Sequence, residues 1–182
     1  ALPISYNTIR NEYPDFGGSY EIQHYSTVVK KLLEEGKLKL KKKLDYRVTF
    51  HDPCHLGRFN KGYDAPRDIL SMLGCELVEM GRNRDNSFCC GAGGGRIWIP
   101  DPVGTVKPSQ NRMKEAATIE GLQVFVVSCP KDLTMFEDAL KTSGYEGQFI
   151  VRELIELIDE CMDYPEELLG ELVEKEVVAE SE

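Results

Sequence analysis

The sequence predicts an open α/β fold: a mainly parallel sheet with flanking helices and a site at the C-terminal ends of its strands. Three observations predict it. Short β-rich runs alternate with amphipathic stretches of about 10–15 residues, the pattern of βαβ units. One run, Gln123–Ser128 (QVFVVS), is continuously apolar, as in a strand covered on both faces. Two cysteines, Cys54 and Cys129, follow predicted strands, and the loops after strand C-termini in such a sheet converge on the ligand crevice.

The elements follow in order. Tyr46–Phe50 (YRVTF) reads as a strand that stops at His51-Asp52-Pro53. A helical stretch near Pro66–Leu73 leads to a second strand, Glu76–Met80. After Gln123–Ser128, the segment Lys131–Thr142 puts Leu133, Phe136, Ala139 and Leu140 on one helical face. Gln148–Val151 is a fourth candidate strand. Glu153–Met162 reads as a helix with Leu154, Leu157, Ile158 and Cys161 in register. Beyond it, Pro165 sits where a first helical turn would begin, and Asp163 with Glu166 has capping-box-like spacing. Leu168, Leu169, Leu172, Val173 and Val177 then mark one apolar stripe on an acidic helix. That helix either packs on its own domain or docks a partner. The run Lys37–Lys43 (KLKLKKK) reads as a solvated edge rather than an anion site.

Composition narrows the class of function. The 182 residues are 41% hydrophobic and 29% charged, enough for one domain with an appendage. Of the net charge of −9, residues 163–182 hold −7 through eight acidic side chains and one lysine. Such a chain is a poor nucleic-acid binder, because phosphate contacts need clustered Lys and Arg. No apolar run approaches ~18 residues and no secretory signal opens the chain, so a cytoplasmic place is expected, at most peripheral to a membrane-bound complex. The six cysteines are read as free, metal-binding or catalytic thiols of a reducing compartment.

A weak internal repeat lays Leu2–Ile9 over Cys129–Phe136, each stretch running through a helical segment to a glycine turn (Gly17-Gly18; Gly144) and then a short β-like run and another helix. It divides the chain into residues 1–36, the tail end of a preceding module most of which lies outside the chain; 37–162, a cysteine-rich cluster domain; and 163–182, the acidic helix.

Four cysteines carry the chemistry. Cys54 and Cys129 follow strands, while Cys89 and Cys90 lie on the loop after Glu76–Met80 and reach the same rim. The glycines that follow, Gly91, Gly93, Gly94 and Gly95, let backbone amides turn inward, as in nests that stabilise anionic sites. Four soft thiolates in a Gly-rich pocket suit an iron–sulfur cluster or zinc. Cys75 and Cys161 are assigned to packing. His51 and His55 flank Cys54 and are read as structural hydrogen-bonding groups, either of them able to deliver a proton to a departing thiol. Arg58, Arg84 and Arg96 could offset cluster charge, though each alone reads as a surface arginine. Trp98 reads as a core or interface anchor.

The motifs HDPCHLGR (51–58), YDAPRDIL (63–70), SFCCGAGGGRIW (87–98) and SCPKDLTMFEDAL (128–140) resemble the cysteine-rich CCG domain of heterodisulfide-reductase-like proteins and glycolate oxidase iron–sulfur subunits. The resemblance implies a [4Fe–4S] cluster, often non-cubane, with Cys54, Cys89, Cys90 and Cys129 as ligands and Gly91 beside them. The family's last cysteine falls on Asp132, because this sequence reads Cys-Pro-Lys-Asp. The site then holds a four-thiolate cluster, uses the carboxylate as a ligand, or only relays electrons. Leu2 and Ser5 stand where the preceding module would have its two cysteines, so no cluster is inferred there. The function implied is an iron–sulfur oxidoreductase subunit passing electrons to a disulfide or other acceptor, beside partner subunits carrying further clusters or flavin. The alternative is a scaffold module with structural zinc or a degenerate cluster, docking a partner through its acidic helix. A metal-free thiol–disulfide enzyme using Cys89–Cys90 is weaker, since no CxxC motif sits at a helix N-terminus.

Overall fold

The computed structural model describes residues 1–164, so the acidic helix expected beyond Tyr164 lies outside the described residues. The all-apolar run becomes strand β3 (Val124–Val127), every residue of which is buried. It pairs in parallel with β1 (Arg47–Phe50) on one side and β4 (Ile150–Glu153) on the other. β1 in turn pairs in parallel with β2 (Glu76–Leu77), giving the order β2-β1-β3-β4. Six α-helices are described: α1 (Pro3–Asn11), α2 (Tyr25–Glu34), α3 (Asp64–Met72), α4 (Pro108–Ala116), α5 (Pro130–Thr142) and α6 (Leu154–Cys161).

Period-two alternation along the inner strands sorts the core into two layers. Val48, Phe50, Val124 and Val126 face α3 and α6, meeting Ile69, Leu70, Leu154, Leu157 and Ile158. Phe125 and Val127 face α4 and α5, meeting Met113, Ala116, Phe136 and Ala139. All four positions expected on the inner face of α6 are buried. α2 adds Val29 and Leu33 to the first layer.

All four strands differ from their expected bounds, β1 and β3 by a single residue at an end and the other two by more. β2 ends at Leu77 instead of Met80. The Val78 amide still donates to the Val48 carbonyl at 2.8 Å, but Glu79 then turns to meet Arg67 and leaves the ladder. The last strand begins at Ile150 rather than Gln148, after turns at Gly144 and Gly147, both at positive φ. In the repeat, α1 and α5 each start with proline in the first turn and lead to a left-handed glycine, Gly17 and Gly144. The β-like run expected after Gly17-Gly18 is not a strand, whereas its counterpart in the second copy forms β4 beside β3.

β2 lies on one side of β1 and β3 on the other. The direction of winding therefore reverses between β1 and β3, and the loops that leave these two strands open a crevice there. The layering sets a stability expectation. Leu157→Ala should lower the unfolding free energy by about 2–5 kcal/mol, and Ile155→Ala, on the outer face of the same helix, should change it by less than about 0.5 kcal/mol. Urea unfolding of the two variants checks this.

Candidate metal centre

The crevice is where the cysteines meet. β1 ends in the buried triplet His51-Asp52-Pro53, and Cys54 follows in a tight turn closed by the Gly57 amide on the Pro53 carbonyl (2.8 Å). β3 passes through buried Ser128 to Cys129, the residue preceding the first turn of α5. The long loop after β2 brings Cys90 in from the third side. Cys54, Cys90 and Cys129 line one narrow cavity of about 20 Å³ together with His55 and Asp132, and Pro3 and Ile4 of α1 also line it. Cys89 is not among the lining residues: it is exposed at the rim, where its sulfur accepts the Gly91 amide at 3.2 Å. Gly91 holds a left-handed conformation, φ +89°, which a side chain disfavours.

Burial and mutual proximity set the proton affinities. Cys54 is pushed up by burial, then by the charges of Asp132 and Cys89. Burial, with the Asp132 charge behind it, pushes Cys129 up to about 11, against the opposing pull of the Asp132 and Lys131 amides. Cys90 donates to Cys89, which holds the Cys90 thiol up and brings Cys89 down to about 6; the Gly91 amide, Arg58 and Arg96 also favour the Cys89 thiolate. Burial raises Asp132 to about 7. Burial, and then the Arg112 charge, hold His51 neutral, well below the ordinary histidine range.

Three inward thiols, a fourth at the rim and one buried carboxylate form a soft donor set with one hard member. A cation would draw off the protons that burial now retains. Among the described residues, no three His, Cys, Asp or Glu side chains are drawn together tightly enough to close on a single metal ion. Cysteine-rich donor sets serve tetrahedral zinc and iron–sulfur clusters alike, and a cluster of several metal atoms is the larger of the two. Such a centre exceeds the present cavity, and one stretch of surrounding loop could yield to it: nothing lies within 4 Å of a Cβ built at Gly93, Gly94 or Gly95. The residues fit an iron–sulfur cluster.

A buried latch, absent from the expectations above, holds the loops in place. Arg67 of α3 donates through both terminal nitrogens to Asp52, at 2.7 and 2.9 Å, and through Nε to Glu79 at 2.5 Å. Asp52 also receives the Arg84 amide, and its carbonyl accepts the Ser87 hydroxyl at 3.0 Å. Arg58 donates to the Ser87 carbonyl at 2.6 Å. The loop bearing Cys54 is thus tied to the loop bearing Cys89 and Cys90. The signals were an aspartate inside HDPCH and an arginine on the otherwise apolar side of YDAPRDIL.

A family model for the cysteine-rich CCG domain matches residues 48–137. Residues 48–137 belong to the CCG cysteine-rich domain family. The chain is 42% identical over 161 residues to the "Probable iron-sulfur-binding oxidoreductase FadF" of Bacillus subtilis, an alignment covering 86% of this chain and 22% of that protein. To the "EtfAB:quinone oxidoreductase" of Syntrophomonas wolfei it is 37% identical over 166 residues, covering 88% of this chain and 23% of the relative. To a dihydromethanophenazine:CoB–CoM heterodisulfide reductase subunit of Methanosarcina mazei it is 35% identical over 147 residues, 79% of this chain and 34% of the relative. The chain spans about a quarter to a third of the length of these relatives.

The remaining candidates in this CCG domain separate cleanly. Cys161 is buried and Cys75 half-buried, both against the first core layer, as packing requires. His51 stacks on Phe125 and meets Phe136 edge-on, away from solvent, whereas His55 puts Nδ1 3.3 Å from the Cys54 sulfur. Arg58 and Arg96 act on Cys89, while Arg84 pairs with Asp64 at 2.8 Å. Trp98 is no core residue: it is 83% exposed, because the glycine-rich segment carries it outward. In the lysine run, Lys42 pairs with Glu160 at 2.9 Å and Lys37 with Glu35 at 2.7 Å on the surface. No helix of the described residues is long and apolar enough to cross a membrane.

The latch and the buried carboxylate each set an expected outcome. Arg67→Leu leaves Asp52 buried without its cation, so stability should fall by about 3–5 kcal/mol, read by chemical unfolding of the metal-free protein. The pH dependence turns on Asp132, whose folded pKa lies above its unfolded value. The native state then binds the extra proton, so the Asp132 contribution to metal-free stability should fall as pH rises from about 4 to about 7, while buried His24 and His51, whose pKa values are lowered, contribute in the opposite direction. The difference between wild type and Asp132→Asn should drift by up to about 4 kcal/mol across that window, the asparagine form gaining relative stability. A flat difference would contradict the assignment.

Proposed function

We propose that this chain is the cluster-bearing part of an iron–sulfur oxidoreductase subunit of the heterodisulfide reductase type. Cys54, Cys89, Cys90 and Cys129 would hold a [4Fe–4S] cluster, which would supply electrons for a disulfide or another acceptor. The observation that carries this reading is the convergence of cysteines from three separate strand-end loops on the crevice between β1 and β3. The relatives' names support it, since they include an iron-sulfur-binding oxidoreductase and a heterodisulfide reductase component.

When bound, the cluster supplies one-electron storage at a potential set by its surroundings. The chain's own residues do the rest. Cys54 and Cys129 are fixed by the ends of the two central strands. The Gly91 amide donates to the Cys89 sulfur, and Arg58 and Arg96 place positive charge near it; all three stabilise the more reduced, more negative state. With a disulfide as acceptor, two electrons and two protons convert it to two thiols. The electrons arrive singly from partner subunits carrying reduced iron–sulfur clusters or flavin. Residues 1–36 are the end of a preceding module, and the protein works in a cytoplasmic complex that docks at a membrane when its partners do.

Protein purified and reconstituted anaerobically should bind about four irons and four sulfides per chain and absorb broadly near ~400 nm. Cys90→Ala and Cys129→Ala should each lose most of that iron while keeping the fold by circular dichroism. Stoichiometric zinc with no sulfide would overturn the reading in favour of a structural zinc module.

A further inference from the structure

Asp132 occupies the third position of α5, where an acidic side chain ordinarily reaches back to cap the helix. The same position does so elsewhere in this protein. Gln110 of α4 accepts the Lys107 amide at 3.2 Å, and Glu156 of α6 accepts the Glu153 amide at 2.7 Å. In α5 no such bond forms. The Asp132 side chain is 5% exposed and lines the thiol cavity, and Oδ2 is buried with no hydrogen-bond partner. Its nearest cation candidate, His51 Nε2, lies 3.7 Å away, beyond hydrogen-bonding distance. Leaving a buried carboxylate oxygen unsatisfied costs about 1–3 kcal/mol or more. Capping would have satisfied it, and the Cys90 thiol beside Asp132 is only a weak donor, so the orientation into the cavity needs another reason.

Helical geometry supplies the second half of the argument. Cys129 and Asp132 are three residues apart at the start of one helix, a spacing that puts their side chains on the same face. Both line the cavity with Cys54 and Cys90. We propose that Asp132 donates a carboxylate oxygen to the metal centre held by the cysteines, making it a mixed thiolate–carboxylate site. The inference rests on the iron–sulfur reading above and adds to it one chemically distinct iron. A carboxylate is a hard donor and iron–sulfur centres favour soft ones, so this is the ligand that an incoming thiolate displaces most readily. The class of ligand assigned to that iron is therefore a small thiol, or one half of a disulfide substrate.

The test is ⁵⁷Fe Mössbauer spectroscopy of the anaerobically reconstituted chain, with and without dithiothreitol as the exogenous thiol, alongside Asp132→Asn and Asp132→Cys. Wild type should show one iron subsite with oxygen-type parameters among sulfur-ligated ones. Dithiothreitol should shift that subsite toward the sulfur-ligated values, and Asp132→Cys should reproduce the shift without added thiol. Asp132→Asn should lose cluster iron to a chelator several-fold faster than wild type. If wild type carries its cluster and every subsite is sulfur-ligated, the inference is wrong while the iron–sulfur reading stands. If wild type takes up no iron and sulfide, the iron–sulfur reading itself fails. The wild-type spectrum decides alone should the variants fail to fold.

Discussion

The site depends on one buried ion pair. Arg67 and Asp52 are 8% and 2% exposed in their side chains and meet through two parallel hydrogen bonds. Removing two charges from water is repaid only when geometry is good and the remaining donors are used. Here they are: Arg67 also reaches Glu79 and the Tyr63 carbonyl, and Asp52 also takes the Arg84 amide. The fork fixes the end of β1 against α3 and the loop after β2 at once. Without it, the loops bearing Cys54 and Cys89–Cys90 would still be tied by the Arg84, Ser87 and Arg58 hydrogen bonds, but more of the entropy of ordering them would fall at the moment a metal binds.

How much of this was legible in the sequence follows from which forces act locally. β3 was readable because a strand covered on both faces must be apolar throughout, and Val124–Val127 is. α6 was readable because Leu154, Leu157, Ile158 and Cys161 repeat at helical spacing and all four are buried. β2 was over-read: ELVEM has strand character, but the Glu79–Arg67 pair is a tertiary contact between distant segments and it ends the strand early. The Arg67–Asp52 pair left each partner visible as an out-of-place charge but not the pairing, since fifteen residues separate groups that only the fold brings together. Of the two roles expected of Trp98, core or interface anchor, its exposure rules out the core one, because the glycine-rich segment before it carries it outside.

The cysteines show a finer division. Their convergence could be reasoned from strand order alone, because loops after parallel strands share one edge of the sheet. Their inequality could not. Cys89 is exposed and held toward its thiolate by the Cys90 hydrogen bond, with the Gly91 amide and two arginines adding to it, while Cys54 and Cys129 are pushed toward the thiol by burial. A single loop therefore delivers two adjacent sulfurs into different surroundings. Asp132 completes the contrast, since only the structure reveals that it forgoes the capping role its position invites.

Iron K-edge X-ray absorption of the anaerobically loaded chain tests the central claim most directly. If Cys54, Cys89, Cys90 and Cys129 jointly hold a cluster, the spectrum contains a sulfur shell and a distinct iron–iron scattering shell, and the iron–iron shell is lost in Cys129→Ala. A sulfur or mixed shell with no metal–metal scattering in wild type would mean that the crevice binds isolated ions, and would contradict the account.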